Sequence, residues 1–250
     1  MCVESPQMAA ATGFVASERD VEGQREPGDT AEVRTIIDAS SGCERLEERV
    51  LRFARGRSRE RANGDRQEVL YVASGRGTLH LDGDAHALEP DLGVFIAPRE
   101  TYTVENESDD ELLVVSVTAP ESDLGVGDNR SVTVRYADQE PLPASPNREF
   151  RYLVNQDVGC LDVTQFVGVI PPGRAPLHSH TYDEVIYIIE GEGTLHMGDD
   201  ETPLAPGTCI HLPPLLMHCL ENRTDANMRV LGVFHPSGDP ASRAKPDNKA

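Results

Sequence analysis

The 250-residue chain has no tryptophan, few aromatic side chains, no CxxC pair, no long apolar run and a shortage of basic residues. Each absence removes a class of function. Its five cysteines, Cys2, Cys43, Cys160, Cys209 and Cys219, are odd in number and never spaced as metal-ribbon pairs. That excludes a disulfide framework and a zinc ribbon and points to a reducing compartment. With 23 basic against 43 acidic residues the formal net charge is −20, which opposes binding to nucleic acid or to an anionic membrane surface. The mildly apolar stretch Met8 to Ala16 follows Glu4 where a signal peptide would carry Lys or Arg, and no segment reaches membrane-spanning length. The expectation is a soluble, cytoplasmic protein with no membrane contact. GRG and GEG are turn glycines between strands rather than a phosphate loop before a helix, so no nucleotide or flavin motif is present.

What the chain does have is glycine (21) and proline (18) in number, which suits short strands joined by tight turns. VLYV, TLHL and VFIAP in the first half, and VIYII, TLHM and CIHLPP in the second, carry the β-branched and aromatic composition of strands. The helical period is weak everywhere except around Cys43 to Val50, and the corresponding CLDVTQFV of the second half favours a strand, so strand or loop is expected at both. The halves are copies. EVLYVASGRGTLHLDGDAHALEP (Glu68 to Pro90) repeats without a gap as EVIYIIEGEGTLHMGDDETPLAP (Glu184 to Pro206), at an offset of 116 residues that holds to Asn106 and Asn222. Upstream, Arg34 with Arg151, Cys43 with Cys160 and Gly56 with Gly173 stand 117 apart, so a one-residue length change lies between Gly56 and Glu68. A period this long means duplicated domains rather than a solenoid. The division expected is an irregular tail over 1–30, a first domain over 31–119, a linker with one strand (Ser131 to Tyr136) over 120–147, a second domain over 148–236 and an irregular tail over 237–250.

Candidate chemistry is confined to the second copy. His178 and His180 lie two apart, which on a strand puts both imidazoles on one face, and Glu184 keeps that parity if the chain stays extended. His218 follows PPLLM, where a second strand could return beside the first. Three imidazoles and one carboxylate suit a transition metal better than Ca or Mg. The matching positions of the first copy are Ala62 and Gly64, to within the one-residue length change, and Tyr102, with Glu68 alone surviving; that copy is expected to hold no metal, with Glu68 paired to an arginine or hydrated.

GRAPLHSHTYDEVIYIIEG is similar to the first motif of the cupin superfamily through Gly173, His178, His180, Glu184 and Gly191. PGTCIHLPPLLMHCLEN is similar to the second through Gly207, Pro213, His218 and Asn222. Leu215 stands where that family usually has glycine, a departure that bears on the turn and not on the ligands. The resemblance implies an all-β fold of two tandem cupin barrels (double-stranded β-helix, or jelly-roll) with one divalent transition metal (Fe, Mn, Ni, Cu or Zn) on His178, His180, Glu184 and His218. It also implies a metal-dependent enzyme acting on a small-molecule substrate, a dioxygenase-type oxidoreductase ahead of an isomerase, cyclase or lyase of a keto-acid or sugar-like compound. A non-catalytic small-molecule or sugar-binding bicupin is the alternative from another class.

Other residues are sorted by the repeat. His196 is matched by His80 and is read as structural. His211 has Phe95 in its place and is the candidate catalytic acid or base, unless it points away from the cavity as a satisfied surface histidine. His235 and His86 are read as exposed, and the cysteines as core. Arg174, Tyr182, Gln165 and Phe166, near the ligand strand, are candidate substrate contacts. An apolar outer sheet would allow a homodimer.

Overall fold

Strand alternation decides which way each apolar side chain faces. Along Arg66–Ser74, Val69 and Tyr71 enter one apolar cluster and Leu70 and Val72 another. Along Asp183–Glu190, Val185 and Tyr187 part from Ile186 and Ile188 in the same way. A strand buried on both faces reads as a continuous apolar run, which is why VLYV and VIYII lack polar alternation. The computed structural model, which describes residues 12–244, assembles such strands into two tandem jelly-roll barrels, each of two antiparallel sheets.

The larger sheet of the first barrel has the order Thr133–Arg135, Leu92–Ile96, Arg66–Ser74, Leu112–Pro120, Glu47–Phe53, Ala31–Ile37. That of the second runs Phe14–Ser17, Thr208–Leu212, Asp183–Glu190, Met228–His235, Thr164–Ile170, Arg148–Val154, Leu142–Ser145. The six strands of the first order match the first six of the second, which adds Leu142–Ser145 as a seventh, but their first members are exchanged. Phe14–Ser17, from the start of copy one, pairs with Thr208–Leu212 of barrel two (Phe14 opposite His211). Thr133–Arg135, from the start of copy two, pairs with Leu92–Ile96 of barrel one (Thr133 opposite Val94). Each copy lends the other an edge strand.

The two larger sheets also pack on each other. Val69, Tyr71, Phe95, Val115 and Val117 of barrel one form a single cluster with Val167, Val185, Tyr187, Leu231 and Val233 of barrel two. The smaller sheets close the barrels. In barrel two that sheet contains Gly173–Arg174, His218–Asn222, Gly193–Met197 and Asp200–Leu204. Matched polar contacts fix matched turns. Asn222 Nδ2 donates to the carbonyls of Ile170 and Ala226, as Asn106 Nδ2 does to those of Phe53 and Asp110. His196 lies 2.8 Å from Glu221 where His80 lies 3.0 Å from Glu105, in keeping with a structural role for both.

Three expectations need correction. The irregular tail over 1–30 gives way to strand at Phe14–Ser17, because Phe14 and Ala16 fill the layer between barrels while Val15 enters barrel two. Glu18 then anchors the segment through Arg52, 2.7 Å away. The tail beyond 236 is tied down as far as Ala244: Gly238 N donates to Thr164 Oγ1 at 3.1 Å and Ala244 N to the Ser179 carbonyl at 2.8 Å. Residues 1–11 and 245–250 lie outside the described residues. His235 is buried rather than exposed. The apolar outer face of each larger sheet is covered within the chain by the other barrel, and a homodimer would use another surface.

Leu231 is fully buried in this shared layer, so Leu231→Ala should cost about 2–5 kcal/mol through lost transfer energy and a cavity. The check is the urea midpoint of unfolding; a loss below ~1 kcal/mol would mean the barrels do not depend on this face.

Candidate metal centre

The candidate ligands sit where two strands and a turn of barrel two converge. Glu184 shares parity with Ile186 and Ile188 on the inner face of Asp183–Glu190. His218 opens the strand His218–Asn222 and is bridged to His178 by a reciprocal backbone pair, His178 N to His218 O at 3.0 Å and His218 N to His178 O at 2.9 Å. The turn between them is held by Leu215 N donating to the His180 carbonyl at 2.7 Å. Leu215 takes the glycine-like conformation itself, with φ 67°, so the missing glycine strains the turn without moving the ligands.

Nitrogen atoms of His178, His180 and His218 all lie within 4.8 Å of one another, and Glu184 stands at the edge of this group, 3.7 Å from His180 Nε2. Each Nδ1 faces a backbone carbonyl: Pro176 for His178 at 3.0 Å, Ser242 for His180 at 3.0 Å, and Leu216 for His218 at 2.9 Å. A carbonyl oxygen only accepts, so all three protons sit on Nδ1 and all three Nε2 atoms keep a lone pair, the state a metal requires. Tyr182 stacks on His180 with ring centroids 4.7 Å apart and places its hydroxyl 2.9 Å from the same Nδ1.

Burial sets the protonation of the metal-free group. Desolvation, and then the neighbouring imidazoles, hold His180 down at about 3. Desolvation holds His178 down at about 4 and lowers His218 as well. Glu184 is pushed up to about 8 by desolvation, opposed only by Arg243. Neutral imidazoles beside a carboxyl that resists ionising form a cage that a divalent cation would relieve.

The group opens into a cavity of ≈ 650 Å³ whose walls include Phe150, Phe166, Ile170, Ile186, Leu220 and Val230. Of the four candidate substrate contacts, Phe166 lines it. Tyr182 lies behind His180, Gln165 is fully buried, and Arg174 is exposed on a strand opposite Glu221. His211 does not line it either. Ile210 and Leu212 occupy the inner face of their strand, which turns His211 outward into the layer between barrels, 1% exposed and 3.1 Å from Asp183. It is neither a cavity base nor a surface histidine. Two arginines that the sequence reading passed over, Arg148 and Arg243, do line the cavity. Arg148 sits at a domain boundary and Arg243 in a segment whose composition reads as a tail, so neither carries a local signal.

Copy one shows what replaces the ligands. Arg61 stands opposite Tyr102 as His178 does opposite His218, and Arg99 N donates to Gly64 O as Leu215 N does to His180 O. The extra residue therefore falls between Arg61 and Gly64, and Arg61 rather than Ala62 matches His178. Glu68 makes no ion pair with an arginine among the described residues. It is buried, accepts from Asn63 Nδ2 at 2.6 Å and from the Ser116 hydroxyl.

Comparison with known proteins agrees with this architecture. The family model described as a cupin domain matches residues 49–118 and again 166–234. The uncharacterized protein MJ1618 of Methanocaldococcus jannaschii is 30% identical over 70 residues, 27% of this chain and 56% of that protein, so the match spans only about half the length of this relative. A Pseudomonas aeruginosa protein described as glyoxylate-induced superposes with a TM-score of 0.78 at 18% identity, covering 99% of this chain and 97% of that one. Ylba of E. coli gives 0.76 at 12% identity, covering 91% and 92%. Bacillus subtilis oxalate decarboxylase gives 0.74 at 14% identity, covering 92% and 79%. At such identities these likenesses speak for the fold alone.

His178→Ala or His218→Ala should abolish metal retention by this site through dialysis, while Glu68→Gln leaves the metal content by elemental analysis unchanged. Ending the chain at Gly238 removes the Ser242 carbonyl from His180 and should weaken metal affinity about 10-fold, the usual size of an outer-shell loss; an unchanged affinity would show that this carbonyl does not orient the ring. The metal-free protein should lose stability on both sides of neutrality. As pH falls below about 6.5 the unfolded imidazoles take protons that the folded ones, held near 3 to 4, refuse. As pH rises above about 4.5 the unfolded Glu184 ionises while the folded one stays protonated to about 8. Glu184→Gln should therefore raise the thermal midpoint of the chelator-treated protein at pH 8; a fall would show that the carboxylate is already stabilised without metal.

Proposed function

The chain belongs to the cupin family, and from that footing we propose that its second barrel is a mononuclear-metal enzyme, a dioxygenase-type oxidoreductase acting on a small organic acid. In this reading His178, His180 and His218 bind through Nε2 and Glu184 through its carboxylate, holding one divalent transition metal. Iron or manganese, when bound there, would supply redox chemistry with O₂ and open positions for the substrate.

The observation that carries the reading is the charge at the cavity wall. In a chain of net charge −20, where most arginines meet a carboxylate, Arg148 and Arg243 have none within 4.0 Å among the described residues. They bond instead to backbone carbonyls, Arg148 to Leu220 at 2.9 Å and Gly173 at 3.3 Å, Arg243 to Ser242 at 3.0 Å and Pro240 at 3.2 Å. Each keeps further N–H donors for an anion. The apolar walls would take the carbon body of the substrate, and exposed Leu177 and Met217 extend that surface to the mouth. The names of oxalate decarboxylase, for which Mn(II) centres are described, and of the glyoxylate-induced protein refer to small carboxylates, in keeping with this chemistry.

The choice of oxygen chemistry rests on what the walls hold. Beyond the four candidate ligands and the two arginines, the one titratable side chain among the lining residues is Glu149, which is exposed. Isomerisation or elimination needs a positioned base, so that second reading depends on Glu149. Oxygen insertion at a redox metal does not.

Oxygen uptake on a panel of enediols, catechols, flavonols and small keto acids tests the proposal. Uptake that stops on chelation and survives Glu149→Gln is expected. Turnover under argon that is lost in Glu149→Gln would replace the oxygenase with an isomerase or lyase, and tight binding without turnover would make the barrel a binding module. Arg243→Ala should raise KM for an anionic substrate about 10-fold or more, the value of one charged hydrogen bond, with metal content unchanged.

A further inference from the structure

Outside the cavity, the described residues bring one other group of metal-ligating side chains together, Cys43, Asp183 and His211, whose donor atoms all lie within 4.8 Å of one another. They come from both barrels. Cys43 belongs to the first, just after the turn in which its N–H bonds the Asp38 carbonyl. Asp183 and His211 belong to adjacent strands of the second, where His211 stands opposite Val185. His235, opposite Asp183 on the next strand, shares the face. Cys43 and His211 are each 1% exposed, and the Nδ1 atoms of His211 and His235 are buried with no hydrogen-bond partner.

The pseudo-symmetric position shows how this corner closes without a cation. There Cys160, Gln67, Phe95 and Ala119 replace Cys43, Asp183, His211 and His235. Gln67 saturates it: Cys160 Sγ lies 3.2 Å from Gln67 Oε1, and Gln67 Nε2 donates to Pro120 O at 3.1 Å and Asp162 Oδ2 at 3.0 Å. No nitrogen is orphaned. Where that corner has a neutral amide and two apolar residues, this one has an acid and two histidines, which leaves two ring nitrogens unpaired inside an apolar layer.

We infer that Cys43, Asp183 and His211 form a second divalent-cation site, of zinc or cobalt type, that ties the two barrels together, with His235 or water completing the coordination. One thiolate, one imidazole and one carboxylate are a borderline-soft donor set that favours Zn and its analogues. A dication with one thiolate and one carboxylate is electrically neutral, which suits a buried layer; Arg45, 4.0 Å from the outer oxygen of Asp183 and largely exposed, remains at its rim. His211 meets Asp183 through Nε2 at 3.1 Å, so the ion would take the place of the proton between them. This site is independent of the barrel-two ligands and of any activity there.

Titration of the chelator-treated protein with cobalt(II) tests it. The His178→Ala/His218→Ala double variant, emptied of the cavity site, should still take up one equivalent, with a thiolate-to-cobalt charge-transfer band in the near ultraviolet. Adding Cys43→Ser, or separately His211→Phe as in the other barrel, should remove both band and equivalent. Zinc should raise the thermal midpoint of the double variant but not of either triple variant. The inference is overturned if the double variant binds no cobalt, if it binds without the thiolate band, or if uptake survives Cys43→Ser; the cluster is then hydrogen-bonded only. Should a triple variant not fold, the band in the double variant or in the unaltered chain decides the matter alone.

Discussion

Two apolar sheet faces that water would penalise cover each other, and most of the molecule is arranged around that contact. The larger sheet of each barrel is apolar on both sides: one side fills its own barrel, the other the shared layer. At about 1.5–3 kcal/mol for each fully buried Val, Leu or Tyr-sized side chain, this layer is a core in its own right. It fixes which side of Asp183–Glu190 is inside, and therefore that Glu184 faces the cavity while Asp183 faces the other barrel. Neighbouring residues thus serve two different places in the protein.

The duplication separates what the fold needs from what the site needs. The two copies keep the same sheet order, the same Asn-held turns and the same His–Glu contact between outer strands. They differ where His178, His180 and His218 stand. The barrel closes equally well around Arg61, Gly64 and Tyr102, with Glu68 satisfied by Asn63 and Ser116. What distinguishes barrel two is a ring of carbonyls, from Pro176, Leu216 and Ser242, that presets three imidazoles in one tautomer. One of the three comes from the segment after the last strand, so the preset depends on chain far from the motif.

The sequence made the repeat, the strands and the four candidate ligands legible, because close spacing on a strand is a local property and the motif spacing is short. It did not reveal where His211 points. Parity tells that His211 and Ile210 face opposite ways, but with both faces of the strand buried, parity alone cannot say which is the cavity. Arg243 and Ser242 were hidden for another reason: a Pro-, Ser- and Asp-rich stretch has the composition of a tail, and only the barrel mouth it folds onto makes it ordered. Phe14–Ser17 is too short to announce itself, since its partners lie almost two hundred residues away.

The exchanged edge strands leave neither copy complete alone. Phe14–Ser17 completes the barrel of the other copy, and Thr133–Arg135 returns the favour. A single copy severed at the repeat boundary would hold out an arm with no sheet of its own to lie on, and would expose the apolar face that the shared layer now hides. Two such copies meeting would satisfy both needs at once. Joined end to end in one chain, the two copies thus hold the geometry of an arm-swapped pair of subunits, in which each half completes the other's larger sheet.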